Sequence, residues 1–338
     1  MSSINRKILK IFCITQISLF GLSYLTRMTV QRFDKAESAS PLKHLISWDA
    51  MHFEQIQEHG YFYEHSMAFF PLHMKIASIV SCYIFNKTVV SIVLNNVYFL
   101  ISALLIYKIV LILHKPDENK HKTSIFALKT ATYFLLNSAS VIYSTIYTES
   151  LFTLLFLLGF YNYLNGSSVH SACLFSLSTL CRSNGIAFVC FLKPYWIIPF
   201  MVPFGIYQLF CILLYWKNNC NFTIIIPYNF IQKTYWNQGF LKFYTLQQLP
   251  NIIIGLPSLL LASYSLHSFK FNRLSALLMF KLLMTVTTIH WNMAGRFLAF
   301  HPHIHMCMAK ISNRYVIYAF LTLRLLYIIM FSAYYPPA

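Results

Sequence analysis

The chain has 338 residues, of which 57% are hydrophobic, 17% aromatic and only 10% charged, against about 25% charged residues in an average soluble domain. That balance excludes a water-soluble globular protein and predicts an all-α polytopic membrane protein. Its 26 basic residues outnumber nine acids for a net charge of +17, yet they stand singly between apolar runs, as loop anchors and snorkelling ends do, so no nucleic-acid partner is expected.

The first apolar stretch, Ile11 to Thr26, follows Arg6, Lys7 and Lys10 and is closed by Arg27. The positive-inside rule then places the N-terminus in the cytoplasm and the following segment across the membrane. A cleaved signal peptide is the competing reading, but no clear small-x-small site follows the hydrophobic core. Residues 31–67 form the first substantial non-cytoplasmic loop. Six of the nine acids fall in it, Asp34, Glu37, Asp49, Glu54, Glu58 and Glu64, and none follows Glu149. From Asp49 to Glu58 the spacing of Asp49, His52, Phe53 and Ile56 predicts one helix face, with Gly60 stopping the helix and Tyr61, Phe62 and Tyr63 at the membrane interface. A carboxylate and an imidazole on one such face suit proton chemistry; they equally suit a helix N-cap and a surface histidine.

Beyond the loop, residues 88–107, 130–148, 150–181, 194–216 and 243–269 contain no Asp, Glu, Lys or Arg. Each is long enough to span a bilayer, and 150–181 is long enough to turn once inside it. The expectation is one integral membrane domain over 1–338, with about eight to ten transmembrane helices and a second polar stretch at 217–249. The mixed segment HKPDENKHK at 114–122 fits either side of the membrane. No repeat of fixed period is present, which weighs against a transporter or flippase built from duplicated halves. Arg182 and Arg296 stand in hydrophobic context with no later acid to pair them, so a phosphate ligand is a natural partner.

Eight cysteines, at 13, 82, 173, 181, 190, 211, 220 and 307, include no CxxC pair and read as membrane-packing residues. Sequons begin at Asn86, Asn165 and Asn221 and permit a luminal address. His301, His303, His305 and Cys307 alternate and would share one side of an extended segment, but Pro302 and the membrane context argue against a metal site. Neither GxGxxG nor GxxxxGK occurs, so a sugar-nucleotide donor is not expected, and the absence of a DxD pair argues against divalent-metal dependence.

Four blocks in order carry a resemblance. WDAMHF at 48–53, with Glu54, His59-Gly60-Tyr61, Glu64 and AFFPL at 68–72, is similar to the first luminal loop of the GPI mannosyltransferase 2 family. NSASVIYSTIYTESLF at 137–152 followed by CRSNGI at 181–186, the block PYNFIQKTYWNQGFLKFYTLQQLPN at 227–251, and Arg296-Phe297 resemble that family's later motifs. The chain is shorter than typical members, with a compressed region between Tyr195 and Pro227, and Ala299, Phe300 and His301 depart from the small hydroxyl residues usual after the arginine.

The resemblance implies a GT-C type glycosyltransferase of the endoplasmic reticulum membrane with its active site in the lumen. Its donor would be dolichyl-phosphate-mannose and its acceptor a mannosylated glycosylphosphatidylinositol (GPI) precursor, which receives the second mannose in α-1,6 linkage. No cofactor is implied, and a small membrane accessory subunit is left open, as is a different acceptor. A β-linked donor and an α-linked product call for inversion with one general base. Asp49 is assigned that role with His52 shaping its environment, and Glu54 and Glu64 in reserve. Arg182 and Arg296 would stabilise the leaving phosphate, Asn184 would bind phosphate or sugar, and Glu149 would hold Arg182 or bind acceptor sugar. Tyr235, Trp236, Asn237 and Gln238 would stack on a sugar and read its hydroxyls, or else form an interfacial aromatic belt.

Overall fold

The computed structural model describes residues 3–83, 86–114, 120–219 and 226–336. Cys220, the sequon at Asn221 and residues 115–119 of the mixed-charge segment lie outside the described residues. Within them the protein is helical and contains no strand.

The first membrane-length helix, α1 (Ser3–Thr29), leads through an irregular loop into α2 (Asp49–His59). Gly60 ends α2 with φ 71°, a conformation that costs a residue without Cβ little. A 3₁₀ turn (Glu64–Ala68) and the short α3 (Leu72–Ser81) then bring the chain to α4 (Lys87–Leu113). Asn86 caps α4, its side chain accepting from the Val89 N–H at 3.0 Å.

The helix α5 (Lys120–Leu135) ends early, and the charge-free run 130–148 does not form the single span expected of it. Only the short α6 (Ser140–Tyr143) lies between Leu135 and α7 (Glu149–Leu164). The segment is rich in Asn, Ser and Thr, whose side chains compete for backbone bonds. Its carbonyls are taken by α4 instead: Asn95 donates to the Tyr147 carbonyl at 2.6 Å and Asn96 to that of Ser144 at 3.1 Å. Residues 137–150 are therefore a buried bend, and its end delivers Glu149 to the interior.

The run 150–181 turns once, at Asn165–Ser167, giving α7 and the antiparallel α8 (Ser168–Thr179). A long 3₁₀ segment (Ser183–Phe191) precedes α9 (Ile197–Asn219). The second polar stretch holds α10 (Pro227–Trp236), started by a proline at its first position, and leads to α11 (Leu249–Ser268). The chain closes with α12 (Arg273–Thr288), α13 (Ala294–Leu298), α14 (Pro302–Lys310) and α15 (Arg314–Ser332). Gly255 of α11 meets the turn at Trp291 so closely that a Cβ would fall 2.0 Å from the Trp291 carbonyl oxygen. That contact seats the turn at 291–293 beside α11.

Among the described residues, five helices are long and apolar enough to cross a membrane, at Ser3–Thr29, Lys87–Leu113, Pro194–Lys217, Leu246–Ser268 and Arg314–Ser332; Leu72–Ser81 and Glu149–Leu164 are shorter apolar helices. The protein is an all-α polytopic membrane protein. Apolar burial does little to join helices that already sit in lipid, so close packing and polar contacts carry the association. Phe152, Phe156, Phe175, Phe188 and Phe300 form one interlocked ring cluster joining α7, α8 and the segment before α14. Arg324 of α15 donates to Ser140 Oγ at 3.0 Å and to the Thr15 carbonyl at 3.1 Å, and Ser144 donates to Gln16 at 2.9 Å. These bonds tie α1, α6 and α15 together.

Of the histidines of HPHIH, His303 and His305 stand on helix α14 and His301 is its N-cap, so they do not share one side of an extended segment. The ring nitrogen Nε2 of His301 bonds the Leu274 carbonyl at 2.9 Å, that of His305 the Ala299 carbonyl at 2.7 Å, and His303 stacks on Phe269 with centroids 4.6 Å apart. Their work is to join α14 to its neighbours. No group of three or more metal-ligating side chains occurs among the described residues.

Candidate active site

Asp49 opens α2, and the residue before it is under strain. Trp48 takes φ 58° and ψ −128°, a left-handed conformation that is uncommon for a bulky side chain. Two tyrosines hold that turn by its carbonyls: Tyr147 donates to Ser47 at 3.2 Å and Tyr334 to Ile46 at 3.0 Å. Trp48 occupies the N-cap position, so Asp49 lies in the first turn and its carboxylate is not spent on capping.

The carboxylate meets Arg296 instead. Arg296 of α13, 247 residues later in the chain, donates from Nη2 to Asp49 Oδ2 at 2.8 Å. Its Nε lies 2.7 Å from Glu149 Oε1, and Glu149 also pairs with Arg182 Nη1. The guanidinium sits over the Tyr147 ring, 5.0 Å from its centroid. Asp49, Arg296, Glu149 and Arg182 thus form one alternating chain of charges whose formal values cancel. Holding Arg182 is one of the two roles that the resemblance offered for Glu149; the expectation that Arg296 has no acid is corrected, because Asp49 from the first loop and Glu149 from the bend both reach it through the fold. Glu149 has only 4% of its side chain exposed and bridges the two guanidinia from behind.

A cavity of about 390 Å³ opens on this chain of charges, within the range of small-molecule sites. Asp49, Arg182, Asn184, Trp236 and Arg296 line it, and Arg296 Nη1 is buried without a partner. Ser183 is bonded to Tyr228 Oη at 2.7 Å beside the same wall. The cavity wall also holds a set of amides, Gln232, Gln238, Gln248, Asn251 and Asn292, with His290 among them. The backbone N–H of Gln238 bonds the Gln232 carbonyl at 3.0 Å, closing α10 so that Trp236 and Gln238 both reach the cavity.

Several sequence candidates do not line it. Tyr235 is half exposed and packs against His65, with centroids 5.7 Å apart; Asn237 takes the left-handed C-cap of α10 and accepts from Lys242 at 3.3 Å. Glu64 stands in the 3₁₀ turn and is likewise absent from the lining. Glu54 faces the other side of α2, buried, where it accepts from Ser38 Oγ at 2.8 Å and Thr88 Oγ1 at 3.0 Å. Those bonds pin the acidic loop to α4, and Glu54 does not line the cavity. Glu54→Ala is expected to remove about 1–3 kcal/mol of stability, seen as a lower melting midpoint in detergent, with the cavity chemistry per folded molecule retained.

His52 packs between His65 and Phe69, with centroids 4.9 and 5.1 Å away, and lies behind the cavity wall formed by Phe69. Burial holds its pKa below the ordinary 6.5, opposed by the nearby Asp49 charge; burial also lowers His65. The unfolded chain takes up these protons at higher pH than the folded one. The stability they contribute is therefore complete above about pH 6.5 and declines as pH falls through the folded values. A melting midpoint that drops from pH 7 to pH 5, with a shallower drop in His52→Phe, is the expected result.

Sequence reasoning missed Trp48, Gln232, Gln248, Asn251, His290 and Asn292 as lining residues. The amides at 232, 248 and 251 all lie within the block at 227–251, so their concentration in one polar stretch was the available signal.

Comparison with known proteins decides the family. The family profile described as "Mannosyltransferase (PIG-V)" matches residues 21–205 and 197–300. The chain belongs to the PIG-V mannosyltransferase family. Asp49, Glu149, Arg182, Arg296 and the amide wall all fall within the matched residues. The chain is 26% identical to human GPI alpha-1,6-mannosyltransferase 2, over 65% of this chain and 57% of the relative. It is 25% identical to GPI mannosyltransferase 2 of Yarrowia lipolytica, over 88% of both chains, and 27% identical to that of Schizosaccharomyces pombe, over 67% of this chain and 56% of the relative. It thus spans little more than half of the human and fission-yeast PIG-V relatives and most of the Yarrowia one. No solved structure matches it.

Proposed function

We propose that this chain transfers mannose from dolichyl-phosphate-mannose, with inversion and in α-1,6 linkage, to a mannosylated GPI precursor as its second mannose. The reaction would take place on the luminal side of the endoplasmic reticulum membrane, with the N-terminus in the cytoplasm. The observation that carries the reading is the meeting of Asp49 with Arg296 and Arg182 at one cavity that amides also line.

Asp49 takes the proton of the acceptor 6-hydroxyl as the new bond from that oxygen to the anomeric carbon forms. The bond from the anomeric carbon to the phosphate oxygen breaks, and its electron pair leaves on the phosphate. No enzyme acid is needed if that growing charge meets cations. Arg296 and Arg182, which both line the cavity, supply them. The Asp49–Arg296 pair gives the two halves a common timing: once Asp49 is protonated its hold on Arg296 weakens, and the guanidinium turns to the phosphate as the second phosphate charge appears. Trp236 offers a face for the sugar, and the amides offer both donors and acceptors for its hydroxyls.

The test is expression in cells that lack the second GPI mannosyltransferase, with lipid intermediates separated by chromatography. The singly mannosylated intermediate should fall and the doubly mannosylated one appear. Protein that accumulates in the membrane without changing either lipid would overturn the reading, and a new mannolipid of another kind would point to a different acceptor.

A further inference from the structure

Lys281 is the lone charged residue between Arg273 and Arg296, and it is 1% exposed. It stands on α12, with its ammonium 5.0 Å from the centroid of Phe297 and 5.9 Å from that of Phe300. No carboxylate among the described residues pairs with it. Its polar contact is a hydrogen bond from Nζ to the backbone carbonyl of Asn184 at 2.9 Å. A lysine buried in hydrophobic context without an acid is costly, and a role is expected of it by default.

That carbonyl belongs to the loop that presents Arg182, Ser183 and Asn184 to the cavity. The loop is gripped residue by residue. Arg182 pairs with Glu149, and Ser183 bonds Tyr228. Gly185 lies so close to the end of α8 that a Cβ there would fall 2.8 Å from Ser178 Oγ and 2.9 Å from the Thr179 nitrogen. Asn184 is the only one of the four whose backbone is held from α12. The same helix leads into the segment 290–296, which carries His290, Asn292 and Arg296, so Lys281 ties two lining segments of the cavity together.

We infer that Lys281 is a positioning residue for the donor site: it clamps the Asn184 carbonyl so that the Arg182–Asn184 loop meets the donor's phosphate. It touches no substrate itself. The phosphate is the group the loop would lose first, because Arg182 and Asn184 are the side chains whose direction depends on this backbone. The inference rests on the mannosyltransferase reading above.

The experiment measures initial rates in microsomes against donor and acceptor separately, for the full chain and for Lys281→Met and Lys281→Gln. Methionine keeps the length and loses the donor; glutamine keeps an N–H for the carbonyl. Lys281→Met should raise the apparent KM for dolichyl-phosphate-mannose by about tenfold or more, the scale of one lost charged hydrogen bond, and leave the acceptor KM in place. Lys281→Gln should recover most of that loss. An unchanged donor KM in Lys281→Met, an equal rise for both substrates, or loss of both variant proteins from the membrane would each overturn the role and mark Lys281 as a packing residue. A wild-type chain that transfers no mannose would sink the underlying reading instead, so the two failures are separable.

Discussion

Asp49→Asn is expected to lower mannosyl transfer by about 10²- to 10⁴-fold, the usual contribution of a general base, while the protein accumulates normally. The amide is nearly the same size, and it can still accept a hydrogen bond from Arg296 Nη2, now 2.8 Å from the Asp49 carboxylate. What it cannot do is take a proton. The strained turn at Trp48 is held by Tyr147 and Tyr334 through the carbonyls of Ser47 and Ile46, so the substitution leaves the helix start in place. Rates at saturating donor and acceptor, normalised to membrane protein, make the comparison. Near-normal transfer by Asp49→Asn would remove Asp49 as the base. Glu54→Gln provides the contrast: it retains the bonds to Ser38 and Thr88 and should keep its rate.

Arg296 should prove even less replaceable, because one guanidinium serves two carboxylates. Arg296→Gln leaves Asp49 facing a neutral group and Glu149 with Arg182 alone, and breaking a buried pair in this way costs about 3–5 kcal/mol. Low accumulation and no measurable transfer are expected. Arg296→Lys is the sharper test. It restores one charge, but a single ammonium cannot reproduce the separate Nε and Nη2 contacts to Glu149 and Asp49. The lysine variant is expected to accumulate to a substantial level, with transfer lowered at least about 10²-fold and a raised donor requirement. Wild-type donor dependence in Arg296→Lys would show that the arginine serves only to hold the acids apart.

These two residues also mark how far the sequence could be read. Asp49 was legible because it lies in WDAMHF, in the one loop where acids concentrate, at the start of a periodic helix. Arg182 and Arg296 were legible as buried cations, and Glu149 as a candidate partner of Arg182, but the partners of Arg296 were not. The inference that Arg296 lacked an acid came from distance along the chain, whereas it meets one 247 residues away. Glu54 shows the opposite error. It stands five residues from Asp49 on the same helix, yet its side chain bonds Ser38 and Thr88, and only the docking of α2 against α4 reveals that Asp49 lines the cavity and Glu54 does not. The run 130–148 looked like a span by charge alone; its Asn, Ser and Thr content and the amides of Asn95 and Asn96 turned it into a bend instead.

Composition was sufficient to establish a helical, polytopic membrane protein, because solvent preference and local pattern are carried by each segment on its own, and the order of the motifs carried the resemblance to the mannosyltransferase family. The selection among the acids, the pairing of both arginines through Glu149 and the place of Lys281 behind Asn184 were decided only in three dimensions. A buried charge is settled by whichever group reaches it, and in this fold those groups come from helices far apart in the chain.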